Sequence, residues 1–394
     1  MEFPGYERPD GKAGIRNYVL VLPASRCANE LAANIADGAE GAIPILHNHN
    51  CARLQPDTDR AFRVLAGLGR NANVAGTVVV GIGCDNIGTD ELAESIAAAG
   101  KPVAAVSIEK QGSFQTAFET GRRAARQMLA AASQMQRTPQ PLAKLCMGVK
   151  CGGSATISSL AGHPATGHVL DRLIAEGGTA IFTETAEVIG AEHIMSKRAV
   201  NQDVAKRLLD VVGRFEQMIV DYGVDIRGAQ PTAGNIKSGL TTLEEKSLGA
   251  MVKTGTSPLS GVLEYGETPS GPGLYLMDSS AWPSQLFLGM AAAGAQCFTF
   301  SVGGGLPARF RSQPGAARLP IVPTIKVTGD PNLKDELEYF DVYAGEVVRG
   351  TETAAEAGER FFNEFLQVAA GKPTAQEYSG YREMFDMYTT GPIM

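Results

Sequence analysis

The chain of 394 residues has no basic block longer than two residues, no Cys-x-x-Cys pair and no apolar run near the length of a membrane span. Each gap removes a class of function. A formal net charge of −7, with Lys and Arg scattered, leaves no electrostatic footprint for nucleic acid. Without Cys-x-x-Cys the chain is not a zinc ribbon, and the gap counts against a thiol redox protein using Cys51. Spanning a bilayer needs ~20 consecutive apolar residues, so no membrane association is expected. The N-terminal "MEFPGYERPDGKAGIRNY" lacks an apolar signal core, which points to the cytoplasm. In that compartment the six cysteines are expected to be reduced thiols rather than a disulfide framework.

What is present is ordinary for a globular chain: 44% hydrophobic and 20% charged residues, with 46 Gly suited to tight turns and close packing. Short apolar runs alternate with amphipathic stretches. "NYVLVLPA", "AIPIL", "VAGTVVVGIG" and "PVAAVSI" read as buried strands, each followed by a helical stretch. Continuous Val/Ile/Leu strands separated by helices predict a doubly wound, mostly parallel α/β domain over residues 1–138. After the Pro-containing "MQRTPQPLA", residues 139–394 read as a second, mixed α/β domain. The Gly-, Thr- and Pro-containing stretch 223–272 reads as long functional loops.

The reactive residues fall mostly just beyond predicted strands, where open α/β sheets bind ligands. Cys27 follows the first strand. His47, His49 and Cys51, in "HNHNCAR", follow the second, and Cys84, in "GIGCDN", follows the third. Cys151, in "KCGGS", follows the first strand of the second domain, whereas Cys146 and Cys297 lie inside apolar strands and read as core. Thiolates with imidazole suit iron, zinc or an iron–sulfur cluster. Any such site must be assembled from distant loops, and single cysteines at strand ends are also common core residues. Gly152, Gly153 and Ser154 form a Gly-rich turn able to hold a carboxylate, without the Lys of a P-loop. "TETAEVIGAEH" (183–193) offers Glu184 and Glu187 as base or ligands, or else as dipole-favoured acids of a helix first turn. "GNIKSGLTTLEEKSLG" (234–249) carries Asn235, Lys237 and Lys246 for an acidic substrate, and "SVGGGLPARFRSQPGAAR" (301–318) carries Arg309.

In order along the chain, "GYERPDGKAGIRNYVLVLP", the Cys51 loop, "GIGCDN", "CGGS", "TETAEVIGAE", "AGNIKSGLTTLEEKSLG", "VPTIKV" and "FDVYAG" resemble the altronate/galactarate dehydratase family. The resemblance implies an iron-dependent hydro-lyase converting a 2,3-dihydroxy sugar acid into a 2-keto-3-deoxy acid. It also implies a large subunit that needs a small SAF-domain partner chain, in a larger oligomer. Two-subunit relatives include sulfolactate sulfo-lyase, which releases sulfite instead of water, so that activity is the alternative. The family often has Arg where this chain has Gly303, which suggests a reshaped anion pocket.

The resulting expectation is iron (Fe2+, or a cluster with an open iron) held by some of Cys51, Cys84, Cys151 and His47. Glu184, Glu187, Lys246 and His49 are candidates for proton transfer. Gly152, Gly153, Ser154, Asn235, Lys237 and Arg309 are candidates for contacts with a small anionic hydroxy acid. A non-catalytic anion-binding subunit is the rival from another class.

Overall fold

The protein is described by a computed structural model covering residues 1–303, 318–378 and 384–393, with the side chains of 335–338 left aside. A small antiparallel sheet joins β1 (Glu2–Glu7) to β2 (Ala13–Gly14) and β7 (Thr138–Pro141). The first large sheet holds β3 (Tyr18–Pro23), β4 (Ala42–Pro44), β5 (Val74–Gly81) and β6 (Val103–Ser107) in the order β4-β3-β5-β6, all parallel. The period of two along its strands separates two cores. Val21, Val78 and Val80 face the helices Asn29–Asp37 and Phe114–Ser133. Leu20, Leu22 and Val79 face the helices Gln55–Arg70 and Thr89–Ala97. Every residue of β5 is buried, as a parallel strand covered on both faces requires.

The second sheet has seven strands, and all are parallel. They are β8 (Cys146–Gly152), β9 (Thr179–Thr183), β10 (Leu259–Leu263), β11 (Gly273–Met277), β12 (Cys297–Val302), β13 (Thr324–Thr328) and β14 (Val342–Tyr343), in the order β10-β11-β9-β8-β12-β13-β14. Helices His163–Ala175 and Ala354–Ala369 cover one face through Val169, Leu173, Phe361 and Phe365. Helix Pro283–Ala292 covers the other and joins the core of the first sheet, so Leu65, Met290 and Phe298 belong to one cluster. Gly67 permits this approach: a Cβ there would stand 2.4 Å from the Ala292 carbonyl oxygen. Asn71 and Asn73 then donate across the junction, to Ala291 O (2.8 Å) and to Gln296 O (2.8 Å).

Residues 384–393 return to the first sheet. Asp57 accepts from the backbone of Thr390 and Gly391, at 3.0 and 2.8 Å, and Asn48 donates to Asp386 at 2.9 Å. The stretch 223–272, expected as loops, holds the short helices Ile226–Ala229 and Ala233–Lys237, the helix Leu243–Val252 and the edge strand β10. The helix Leu243–Val252 hides from periodicity because its pattern is inverted. It buries Lys246 and Ser247 and exposes Leu248 and Val252.

Candidate active site

Both sheets have a topological switch point, where consecutive strands leave in opposite directions, the place at which open α/β sheets bind ligands. In the seven-stranded sheet it lies between β8 and β12. The turn Gly152–Gly153–Ser154 leaves β8 there, with Gly153 at φ +60, and Gly303 leaves β12 beside it. The two loops meet backbone to backbone: Gly303 N donates to Gly152 O at 3.0 Å. A Cβ on Gly303 would lie 2.2 Å from Gly153 O and 2.3 Å from Ser158 Oγ.

At this switch point lies a buried ionic cluster. Lys150 and Cys151 come from the end of β8, and Glu184 and Glu187 from the turn after β9. Lys253 comes from the end of the helix Leu243–Val252. Lys150 pairs with Glu184, and Lys253 pairs with Glu187. Lys253 Nζ also stands 3.2 Å from Cys151 Sγ, which in turn lies 3.4 Å from Glu187 Oε1. No side chain of these five is more than 5% exposed. Burying four charged groups is tolerable only when each is matched by an opposite charge or donor, as here.

Local sequence explains how the turn after β9 is held. Glu184 has φ +79 and ψ 78, a left-handed conformation that is strained for a residue with a Cβ. Ser279, beyond β11, receives Glu184 N on its Oγ at 3.3 Å and bonds the hydroxyl of Thr183. Thr185 Oγ1 donates to Asp278 at 2.6 Å, and Asp278 is fixed from behind by Arg214 at 2.6 Å. The opposite wall is set by glycine. Gly167 has no room for a Cβ, which would lie 2.7 Å from Val252 O, so the helix His163–Ala175 sits hard against 252–255. That contact brings His163 and Lys253 to the same place.

The protonation states follow from burial and charge. Burial, then the neighbouring Glu187, push Glu184 up to about 7, against the opposing pull of Lys150. Burial works against Glu187 as well, but Lys253 and Lys150 overcome it and hold its carboxyl well below the usual range. Lys150 stays cationic because Glu184 and Glu187 outweigh its desolvation, and Lys253 because Cys151 and then the two glutamates outweigh its own. Burial and Glu187 push the Cys151 thiol up, so it is neutral. Burial and Lys253 bring His163 down to about 4, leaving a neutral ring. The cluster thus holds two fixed cations, one fixed carboxylate and one carboxyl poised near neutrality. It can bind an anion and move a proton.

Of the residues expected from sequence, Glu184, Glu187 and Cys151 meet here, with Gly152, Gly153 and Ser154 above them. Lys246 is buried alongside, donating to Gln230 Oε1 at 2.7 Å. Asn235 spends its amide on the scaffold, giving Nδ2 to Ser154 O (2.9 Å) and accepting from Thr232, so it holds the loop. Lys237 is exposed at the end of its short helix, and Arg309 lies outside the described residues. Lys150, Lys253 and His163 were missed from sequence. A lysine inside the otherwise apolar strand "CMGVKCG" was the legible signal for Lys150; Lys253 and His163 had none.

The remaining expected residues gather at the switch point of the other sheet, between β3 and β5. Cys27, Cys51 and Cys84 are exposed there on three loops. His47 Nε2 donates to Pro23 O at 2.7 Å, and His49 Nε2 faces Asn86 Oδ1 at 3.3 Å. Cys51 and Cys84 therefore stand at one rim, while Cys151 is committed to Lys253 and Glu187 in the other sheet. Among the described residues no group of three or more His, Cys, Asp or Glu side chains is placed to hold a metal ion. The expected ligands Cys51, Cys84, Cys151 and His47 are thus divided between the two sheets and do not form one site, and no step is derived through iron.

The family described as D-galactarate/altronate dehydratase, C-terminal, matches residues 142–391, and the second domain of D-galactarate dehydratase/altronate hydrolase matches residues 5–133. The chain is 36% identical over 384 residues to the (2R)-sulfolactate sulfo-lyase subunit beta of Chromohalobacter salexigens, covering 97% of this chain and 96% of that one. It is 29% identical over 393 residues to the altronate dehydratase of Bacillus subtilis, covering 97% of this chain and 76% of the relative. It is 28% identical over 421 residues to the galactarate dehydratase (L-threo-forming) of Escherichia coli, covering 99% and 77%. With a family match running through both sheets, the chain belongs to the D-galactarate/altronate dehydratase family and is a lyase.

Proposed function

We propose that the chain is the catalytic subunit of a lyase that removes the C2 proton of a small 2-hydroxy acid and expels the substituent on C3. The enol so formed takes a proton at C3 and becomes a 2-oxo acid. The observation that carries this reading is the juxtaposition of Glu184 with Lys150, and of Glu187 with Lys253, at the β8–β12 switch point. A carboxylate substrate needs fixed cations in a dry site, and the proton next to it needs a base of matched pKa. Lys150 and Lys253, with Lys246 beside them, supply the charge. Glu184, titrating near neutrality, takes the C2 proton and returns it to a departing hydroxide, so water leaves and the site is restored. Glu187 keeps the lysines charged.

In the first reading the substrate is a sugar acid such as altronate or galactarate and the product a 2-keto-3-deoxy acid. The second reading is (2R)-sulfolactate cleaved to sulfite and pyruvate. It is favoured by the match that runs the full length of both this chain and the sulfo-lyase subunit beta. Sulfite departs without needing a proton, so Glu184 would then act as base alone. Supplying each acid to the purified chain and measuring 2-oxo acid and sulfite separates the two. Product from sulfolactate only, with stoichiometric sulfite, overturns the hydro-lyase reading. Absence of turnover with a retained anion affinity, even with the partner present, returns the chain to a non-catalytic binding subunit.

A small SAF-type subunit, higher oligomerisation and a cytoplasmic location belong to the same proposal. The subunit is supported by the relative's name, subunit beta; among the described residues no helix is long and apolar enough to cross a membrane. Iron enters on the family resemblance, with Cys51 and Cys84 as its most accessible thiols. Iron analysis of anaerobically purified protein checks it, and full activity under chelator removes it from the proposal.

A further inference from the structure

The ring of His163 is 1% exposed and held by a single hydrogen bond. Its Nδ1 lies 2.8 Å from the carbonyl oxygen of Gly249. A carbonyl only accepts, so Nδ1 carries the proton and Nε2 of the neutral ring is left as a bare lone pair. That atom is fully buried and has no partner among the described residues. Its surroundings are the cluster itself: Lys253, Glu187 and Lys150 all act on the ring. A second buried polar atom sits on the strand next to β8. Ser301, on β12, is in register with Cys151 and shares its face of the sheet. Its Oγ has no partner either, and it rests against Gly162, where a Cβ would be only 2.8 Å away. Gly162 is the residue before His163.

An unpaired acceptor and an unpaired hydroxyl in one dry site are costly unless a ligand satisfies them, and such groups favour ligands that do. Lysines 150 and 253 offer only donors, which suits a carboxylate. They cannot receive the proton of a hydroxyl. A hydroxyl group presents one donor and two acceptor lone pairs, the complement of a bare Nε2 beside an Oγ–H. We propose that His163 Nε2 accepts a hydrogen bond from the substrate's hydroxyl, with Ser301 Oγ donating to the same oxygen. This makes His163 the residue by which the site selects hydroxy acids over plain carboxylic acids. The inference rests on the reading of the cluster as the anion site of a lyase.

Glycolate and acetate differ by one hydroxyl and serve as probes. Their dissociation constants for the full-length chain are measured by titration calorimetry, and again for His163→Asn. The Asn amide keeps a donor toward Gly249 O and removes Nε2. Glycolate is expected to bind the unaltered chain about tenfold more tightly than acetate, the yield of one or two neutral hydrogen bonds. The preference is expected to fall below about twofold in His163→Asn, with acetate affinity unchanged. The Nε2 nitrogen resonance of His163 is expected to shift with glycolate and not with acetate, a response that a merely structural histidine does not give. Equal affinity for the two acids in the unaltered chain overturns the role of His163 while leaving the anion site standing. Failure of both acids to bind overturns the anion site, and the inference with it.

Discussion

Lys253 Nζ stands 3.2 Å from Cys151 Sγ and pairs with Glu187, in a place where none of the three meets solvent. A charge in such a position is held by its partner, and the partner by it. Lys253→Met is therefore expected to leave Glu187 as a lone buried carboxylate and to cost about 3–5 kcal/mol in denaturant unfolding. The double variant Lys253→Met with Glu187→Gln removes both charges and is expected to recover more than half of that loss. A double variant no more stable than the single one would show that the pairing is not what the lysine contributes.

Glu184 carries the pH dependence. Its carboxyl is raised from 4.5 to about 7, by burial first and Glu187 second, so the folded chain holds this proton more tightly than the unfolded one. The contribution to stability is complete below about pH 4.5 and is lost as pH rises through 7. In the unaltered chain this group adds a downward slope worth up to about 3 kcal/mol over that window. Glu184→Gln is expected to flatten it in unfolding curves taken at pH 5 and pH 8. The same change is expected to lower kcat by about 10²- to 10⁴-fold and to abolish the limb of the pH–rate profile near 7. An unchanged profile in a folded Gln variant would assign the proton transfer elsewhere.

The buried histidines act with the opposite sign. Burial brings His47 from 6.5 down to about 4, so the fold holds it neutral. Its stabilising share is present above about pH 6.5 and lost as pH falls toward 4, on the order of 3 kcal/mol at most. His47→Gln preserves a donor for Pro23 O and does not titrate. The drop in urea midpoint between pH 7 and pH 5 is expected to be smaller in this variant than in the unaltered chain. An equal drop in both would mean that another group drives the acid sensitivity.

Gly303 is closely packed against the turn after β8. Gly303→Ala places a methyl 2.2 Å from Gly153 O, in the turn at the cluster, and 2.3 Å from Ser158 Oγ, which opens the helical segment after that turn. The loop must move, at an expected cost of about 1–3 kcal/mol. Turnover is expected to fall at least tenfold with secondary structure intact by circular dichroism. An Ala variant with unaltered kinetics would show that the Gly152–Ser154 turn does not shape the site.

The one-dimensional pattern carried the architecture of the first sheet, because strands such as "VAGTVVVG" are buried on both faces and announce it by being apolar throughout. It also carried the motifs after the strands, so Glu184, Glu187, Cys151 and the Gly152–Ser154 turn were legible as a group of strand-end residues. The ordered combination of those motifs sufficed for the family. The helix Leu243–Val252 was not legible, since it turns Lys246 and Ser247 inward and leaves Leu248 and Val252 outside. A helix that serves a polar site has no apolar stripe toward it, and periodicity then misleads.

Which residues act together was decided by tertiary structure. The thiols looked like one set along the chain, yet Cys51 and Cys84 lie at the rim of one sheet and Cys151 beneath the other. Proximity there depends on strand order, which places β8 beside β12 across the 144 residues of chain between Gly152 and Cys297 and which no local preference encodes. Lys253 and His163 became part of the site only because Gly167 lets two segments touch, and a glycine's closeness to a distant backbone leaves no mark on its neighbours in sequence. The residue types and the chemistry they permit were therefore set by the sequence read alone. Their charge states came from the packing, since burial and the Lys–Glu pairing that set them exist only in the folded chain.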